Sequence, residues 1–239
     1  MTRILFINPL GTDIYDSHMQ EVLERFKAPK TSVEVRSLTL PPEQSGPMLP
    51  AEPVYYNEII GLVMQAEKEG FDAAVIGCAA DPALPEAQRM AKIPVVGPLQ
   101  AAAAFAAARG KKLAILYPDE HSWKHTISWA TSNLRLYGLD HVVACIRFVD
   151  MHIGSEESLV AQVDVSLEDV IDRFSRVLKG PGLELAQKVL IEDAAEIVFF
   201  GCTIWGGLLE GISERLESPV LDALAVSLRM AELQAGPLS

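Results

Sequence analysis

Two short stretches constrain the fold more than anything else in the chain: Val75-Ile76-Gly77-Cys78-Ala79-Ala80-Asp81-Pro82 and Phe199-Phe200-Gly201-Cys202-Thr203-Ile204-Trp205-Gly206. Each closes an apolar run on Gly-Cys and then turns into a segment of helical character. An uninterrupted apolar run bounded by turn residues reads as a parallel strand covered on both faces. A thiol at the carboxyl end of such a strand, facing the amino end of the next helix, lies where open α/β sheets place their chemistry and where N–H groups favour a thiolate. Two in one chain point to a matched pair.

The surrounding pattern is duplicated as well. Apolar runs at residues 3–8, 32–37, 73–77 and 94–97 read as strands, separated by helical periodicity at 18–27, 55–69, 84–91 and 99–109. In the first helix Met19, Val22, Leu23 and Phe26 fall on one face. The proline-rich stretch 40–53 reads as a loop, of a length that is usually functional. From Gly110 the alternation restarts, with strands at 113–117, 142–148, 195–201 and 219–221 and helices at 124–136, 208–216 and 224–234. Cys78 precedes Pro94 by 16 residues and Cys202 precedes Pro219 by 17. From Pro9 to Cys78 is 69 residues and from Pro118 to Cys202 is 84, so the second half carries extra chain, which the pattern puts between 151 and 183.

The predicted fold class is therefore α/β, with two pseudo-symmetric domains, each a mainly parallel sheet flanked by helices, and an active site in the cleft between them. The first domain spans 1–98 and is completed by the C-terminal helix 222–239; the second spans 99–221. The alanine run 101–108 reads as a closely packed helix at a domain or subunit contact, and a homo-oligomer is expected.

Composition narrows the partners. A formal charge of −12 argues against nucleic acid and anionic membranes, both of which attract basic surfaces. The longest uncharged stretch, 93–108, is interrupted by prolines and too short to span a bilayer. Met1-Thr2-Arg3 leads straight into the first strand without a secretory h-region, so a cytoplasmic protein with free thiols is expected from its three cysteines.

Other reactive side chains have plainer readings. Cys145 lies inside an apolar strand and reads as core. His121 and His125 have i, i+4 spacing, but no glutamate between them and no third ligand, so no metal is expected. Gly201, Gly206, Gly207 and Gly211 match no dinucleotide or phosphate fingerprint, and no nucleotide cofactor is expected. Asp81 reads as an acid complementing a helix dipole, with substrate contact as the alternative.

Taken together, the residues resemble the aspartate/glutamate racemase superfamily, and within it the hydantoin racemases. The resemblance rests on Ile7-Asn8-Pro9, Tyr55-Tyr56-Asn57-Glu58, Gly77-Cys78 with Asp81-Pro82-Ala83-Leu84, Pro94-Val95-Val96-Gly97, and Gly201-Cys202 with Pro219-Val220-Leu221-Asp222. It covers nearly the whole chain apart from 151–183. It implies cofactor-free racemisation of a small molecule, in which one cysteine thiolate removes the proton alpha to a carbonyl while the other thiol delivers one to the opposite face. On this chain those residues are Cys78 and Cys202, and the residues around the substrate are Asn8, Thr12, Tyr55, Tyr56, Ala79, Ala80, Thr203, Ile204 and Trp205.

Two departures bear on the substrate. Relatives that act on free amino acids follow the first cysteine with small polar residues, whereas Ala79 and Ala80 offer no side-chain donors. Leu10-Gly11-Thr12 likewise departs from the usual polar loop, leaving Asn8 and Thr12 as its polar groups, and Trp205 suits the wall of an apolar pocket. Both point to a cyclic ureide such as a 5-substituted hydantoin. The alternatives are racemisation of allantoin or an amino acid, maleate-type isomerisation, arylmalonate-type decarboxylation, and non-catalytic binding of a small ligand.

Overall fold

The computed structural model describes residues 1–39, 54–118, 124–151 and 166–236, with the backbone alone at Val54, Lys124, His125 and Thr126. The expected loop at 40–53, His121, the His125 side chain and 152–165 of the extra segment lie outside the described residues.

The chain divides into two units, Met1–Ala101 with Leu224–Ser239, and Ala102–Ala223. The first holds strands β1 (Thr2–Asn8), β2 (Thr31–Ser37), β3 (Ala73–Ile76) and β4 (Val95–Val96), all parallel, in the order β2-β1-β3-β4. The second holds β5 (Leu113–Pro118), β6 (Val143–Val149), β7 (Ile197–Phe200) and β8 (Val220–Asp222), again parallel, in the order β6-β5-β7-β8. The helices are α1 (Asp16–Phe26), α2 (Val54–Lys68), α3 (Leu84–Met90), α4 (Pro98–Ala108), α5 (Lys124–Tyr137), α6 (Leu167–Val177), α7 (Leu183–Glu192) and α8 (Ala223–Ala235). The division between units falls within α4 and at the start of α8, so the alanine run is the helix along which the chain passes from one to the other.

Sequence explains which strands are central. Ile4 to Ile7, Ala73 to Ile76, Leu113 to Leu116 and Ile197 to Phe200 are fully buried, as parallel strands covered on both faces must be. At the edges the pattern loosens: in β2 only Thr31 and Val33 are buried, and in β6 only Val149. α1 turns Met19, Val22 and Leu23 inward, the face that its periodicity predicts.

The structure departs from the sequence reading in the helices. Residues 208–216 form a series of turns, because Gly207 and Gly211 adopt φ of +75° and +79°, which a helix cannot accommodate. Leu209, Ile212 and Leu216 are nonetheless buried, so their helix-like spacing reflects inward-facing residues of an irregular segment. In the extra chain, α6 and α7 are joined without a break through a π-helical turn, Leu178–Gly182, in which the wider ladder admits Pro181.

At corresponding ends of the two sheets the backbone comes too close for any side chain. A Cβ on Gly77 would lie 2.2 Å from the Phe6 ring and 2.7 Å from the Ile7 carbonyl oxygen; on Gly201 it would lie 2.7 Å from the Tyr117 ring and 3.4 Å from the Leu116 carbonyl oxygen. The Ile7 carbonyl is held in a central strand, whereas the Tyr117 ring can give. Gly77→Ala is therefore expected to cost about 2–3 kcal/mol and Gly201→Ala about 1 kcal/mol, measured by urea unfolding; equal losses would contradict this account.

Candidate active site

Each cysteine leaves its sheet in the same way. The Gly77 N–H donates to the Ile7 carbonyl at 2.8 Å and the Gly201 N–H to the Leu116 carbonyl at 2.7 Å, carrying each ladder one residue past the strand. Next, the Cys78 N–H turns back onto the Ile76 carbonyl at 2.8 Å, and the Cys202 N–H onto the Phe200 carbonyl at 3.0 Å. Each cysteine carbonyl then accepts from the residue three positions on, Asp81 at 2.9 Å and Trp205 at 3.2 Å. Sulfur is an acceptor in both turns: the Ala80 N–H donates to Cys78 Sγ at 3.5 Å, and the N–H groups of Ile204 and Trp205 bond the Cys202 thiol.

Burial singles out the sulfurs. From Ala73 to Pro85 every residue is buried except Cys78, and from Ile197 to Gly206 every residue is buried except Cys202. The first turn is also strained, since Asp81 and Ala83 hold φ of +52° and +56° without being glycine. Strain of this kind survives only where the surroundings enforce it, and it concentrates at functional turns.

An aspartate ties each turn to a helix amino end, but from opposite sides. Asp81 is fully buried and its carboxylate accepts from the Leu99 N–H at 3.0 Å and the Gln100 N–H at 2.8 Å, capping α4. The sequence reading had a helix-dipole role for Asp81; the helix served is α4, across the sheet end, rather than the adjacent α3. Gly97 leaves the space, because a Cβ there would lie 2.3 Å from Asp81 Oδ1. Strand register makes Gly97 the counterpart of Asp222. Asp222 stands at the start of α8 and reaches back to accept the Gly207 N–H at 2.6 Å, in the turns that follow Cys202.

Electrostatics distinguishes the thiols. Part of Cys202 remains open, yet the enclosing protein pushes its thiol up from 9.0 to about 12, with burial outweighing the opposing pull of the Ile204 and Trp205 N–H groups. The expected N–H bias toward a thiolate is thus present but overcome. Cys145 on edge strand β6 is pushed up to about 11, first by burial and then by its hydrogen bond to Asp193, which is itself paired with Arg147 at 2.8 Å.

The remaining candidates fall around these turns or within the first unit. Asn8 is fully buried and its amide is committed to its own loop: Nδ2 donates to Asp16 Oδ1 at 2.7 Å, Ser37 Oγ at 3.1 Å and the Thr12 carbonyl at 3.1 Å, while Oδ1 accepts the Leu10 N–H at 3.1 Å. Its place is that of a brace at the end of β1. Thr12 is partly exposed and its hydroxyl accepts the Ile14 N–H at 3.2 Å. Tyr55 is buried and meets the half-buried Tyr56 edge to face, ring centroids 5.1 Å apart. Ala79, Ala80, Thr203, Ile204 and Trp205 form the buried floors of the two cysteine turns.

Arg173 was missed by sequence reasoning. It is a buried cation on α6, the helix that packs against the 3-10 turn Thr203–Trp205. The run of Val170, Arg173, Phe174 and Val177 on one helical face was the available signal.

With this geometry, comparison with known proteins identifies the family. Residues 4–231 match the Asp/Glu/Hydantoin racemase family, and the chain belongs to it. It is 27% identical over 174 residues to a hydantoin racemase of Rhizobium meliloti, a match covering 73% of this chain and 64%, less than two thirds, of that protein. It is 26% identical over 238 residues to a hydantoin racemase of Paenarthrobacter aurescens, covering 96% of this chain and 89% of that one. Among solved structures, the allantoin racemase from Klebsiella pneumoniae has the same fold, with a TM-score of 0.75 at 20% identity over 98% of this chain and 87% of that one. No helix among the described residues is long and apolar enough to cross a membrane.

Two outcomes follow. Asp81→Ala leaves two buried N–H groups of α4 without their acceptor and is expected to lower stability by about 2 kcal/mol in urea unfolding. For Cys202 the folded pKa lies above the unfolded one, so its stabilising contribution is complete below pH 9 and is lost as pH rises from 9 toward 12. Wild type should therefore lose more stability than Cys202→Ser between pH 8 and 10.5, and parallel losses would refute the raised pKa.

Proposed function

We propose that this chain is a cofactor-independent racemase in which Cys78 and Cys202 act as acid and base on the α-carbon of a cyclic ureide, such as a 5-substituted hydantoin. The observation that carries this reading is the matched, partial exposure of the two cysteines. Each is the one open residue in an otherwise buried stretch, at the end of a β3-type strand in sheets of identical order. Family membership and the hydantoin racemase relatives support the reaction class.

In the proposed reaction the thiolate of Cys78 takes the α-proton, forming an S–H bond while the C–H electron pair moves into the adjacent carbonyl as an enolate. The Cys202 thiol then gives its proton to the opposite face of the same carbon, and the pair ends as Cys78 thiol and Cys202 thiolate. That state is the one that accepts the other enantiomer, so no net proton is consumed. A Cys202 thiol held at about 12 rests protonated at neutral pH, which makes it the proton donor of the unliganded protein. The apolar floor supplied by Ala79 and Ala80 suits an uncharged ring better than an ammonium and a carboxylate.

The test is proton exchange in heavy water with the separate enantiomers of 5-benzylhydantoin and of allantoin. Wild type should racemise and exchange, and Cys78→Ser and Cys202→Ser should each lose racemisation by at least about 100-fold. Cys202→Ser should still exchange the enantiomer whose proton faces Cys78. A folded wild type that is inert across the panel sinks the ureide assignment, and a single serine variant that racemises normally sinks the two-base scheme.

A further inference from the structure

The two cysteine turns differ at the third residue after the cysteine, where the first has Asp81 and the second has Trp205. In the first turn this residue is the buried acceptor that caps α4. In the second the corresponding tie is made by Asp222 from the helix side, so Trp205 has no part in it. Trp205 is 1% exposed, among the largest side chains of the core, and its ring meets Phe200 edge-on with centroids 6.2 Å apart. Its indole Nε1 is buried and has no hydrogen-bond partner among the described residues.

A buried donor without an acceptor costs the folded protein free energy and is rare in native structures. Phenylalanine would lack the indole's second ring as well as its N–H, so tryptophan fills more of the core and also brings a donor that needs an acceptor. The backbone N–H of Trp205 already bonds both the carbonyl and the thiol of Cys202, which puts the residue in direct contact with one of the two proposed acid/base groups. An acceptor that arrives with the substrate would satisfy the indole and turn a penalty of the free protein into selectivity for ligands that carry it. Sites built around a hydrogen-bonding group reject analogues that lack its partner far more strongly than apolar sites do.

We propose that the indole N–H of Trp205 is a substrate-binding donor that accepts only ligands presenting a ring carbonyl oxygen beside Cys202. This deepens the racemase reading and rests on it: the two carbonyl groups of a hydantoin ring are the acceptors in question, and Trp205 acts as a specificity residue on them.

The experiment uses the full chain labelled with 15N at tryptophan and 5-benzylhydantoin as the probe. Ile204-Trp205 is the only Ile-Trp pair among the three tryptophans, so the signal is assigned in wild type by 13C-carbonyl labelling of isoleucine and a through-space link from backbone to indole. On saturation the Trp205 indole proton should shift downfield and exchange with solvent at least tenfold more slowly. In parallel, Trp205→Phe, whose smaller ring leaves a cavity and lowers the unfolding temperature whatever the N–H does, should lose at least tenfold in kcat/KM. A role in which a trapped water bridges the indole predicts that Trp205→Phe retains kcat/KM, and that result overturns the proposal. An indole signal unmoved at saturation in a wild type that racemises the probe also overturns it and leaves the racemase reading standing, even if Trp205→Phe does not fold. A wild type that neither binds nor racemises the probe removes the reading itself, and the proposal with it.

Discussion

Everything distinctive about this molecule depends on a close backbone contact made twice: Gly77 against the Ile7 carbonyl and Gly201 against the Leu116 carbonyl. In a parallel sheet the strand end is where the ladder stops and the backbone must find new partners. Extending the ladder by one residue, through a glycine that admits the neighbouring aromatic ring where a Cβ would sit, fixes the direction in which the chain departs. The next N–H folds back two residues, and the cysteine side chain is left as the only one not packed into the layer beneath. Neither cysteine was moved to the surface by a loop of its own; the sheet end delivers it.

The ties between turn and helix then make the two halves equivalent in backbone and different in charge. In the first unit the carboxylate belongs to the turn and the donors to the helix; in the second the carboxylate belongs to the helix and the donor to the turn. Both arrangements satisfy N–H groups that would otherwise be orphaned. They leave different residues three positions after the two cysteines, a buried carboxyl group in one turn and a buried indole in the other.

Most of the frame was legible because its strands are fully buried and carry no competing signal: Ile4 to Ile7, Val75-Ile76, Leu113 to Leu116 and Val198 to Phe200 cannot be read as anything amphipathic. The nearly equal spacing from each cysteine to the following Pro-Val, 16 and 17 residues, likewise mirrors identical strand order. What failed was periodicity without propensity. Leu209, Ile212 and Leu216 point inward at helical intervals, but positive φ at Gly207 and Gly211 breaks the helix they imply. Long-range contacts were hidden for another reason. That Asp81 caps a helix beginning at Pro98 and that Asn8 spends its amide on Asp16 and Ser37 are facts of tertiary packing, which no local pattern encodes.

The raised pKa of Cys202 has a bounded meaning for chemistry between enantiomers. In achiral water the two enantiomers have equal free energy, so their kcat/KM values must be equal whatever the thiols' surroundings are. Under the two-base scheme an unsymmetrical pair cannot favour either product at equilibrium. Under that scheme the raised pKa of Cys202 instead bears on which protonation state the free protein occupies, and therefore on which enantiomer would meet a competent pair on arrival. A thiol near 12 is a poor acid and, once deprotonated, a strong base, so the step that withdraws its proton is the harder and the return step the easier. Under that scheme the difference appears as compensating changes in kcat and KM between the two directions, which makes the raised pKa of Cys202 a kinetic matter and leaves the equilibrium untouched.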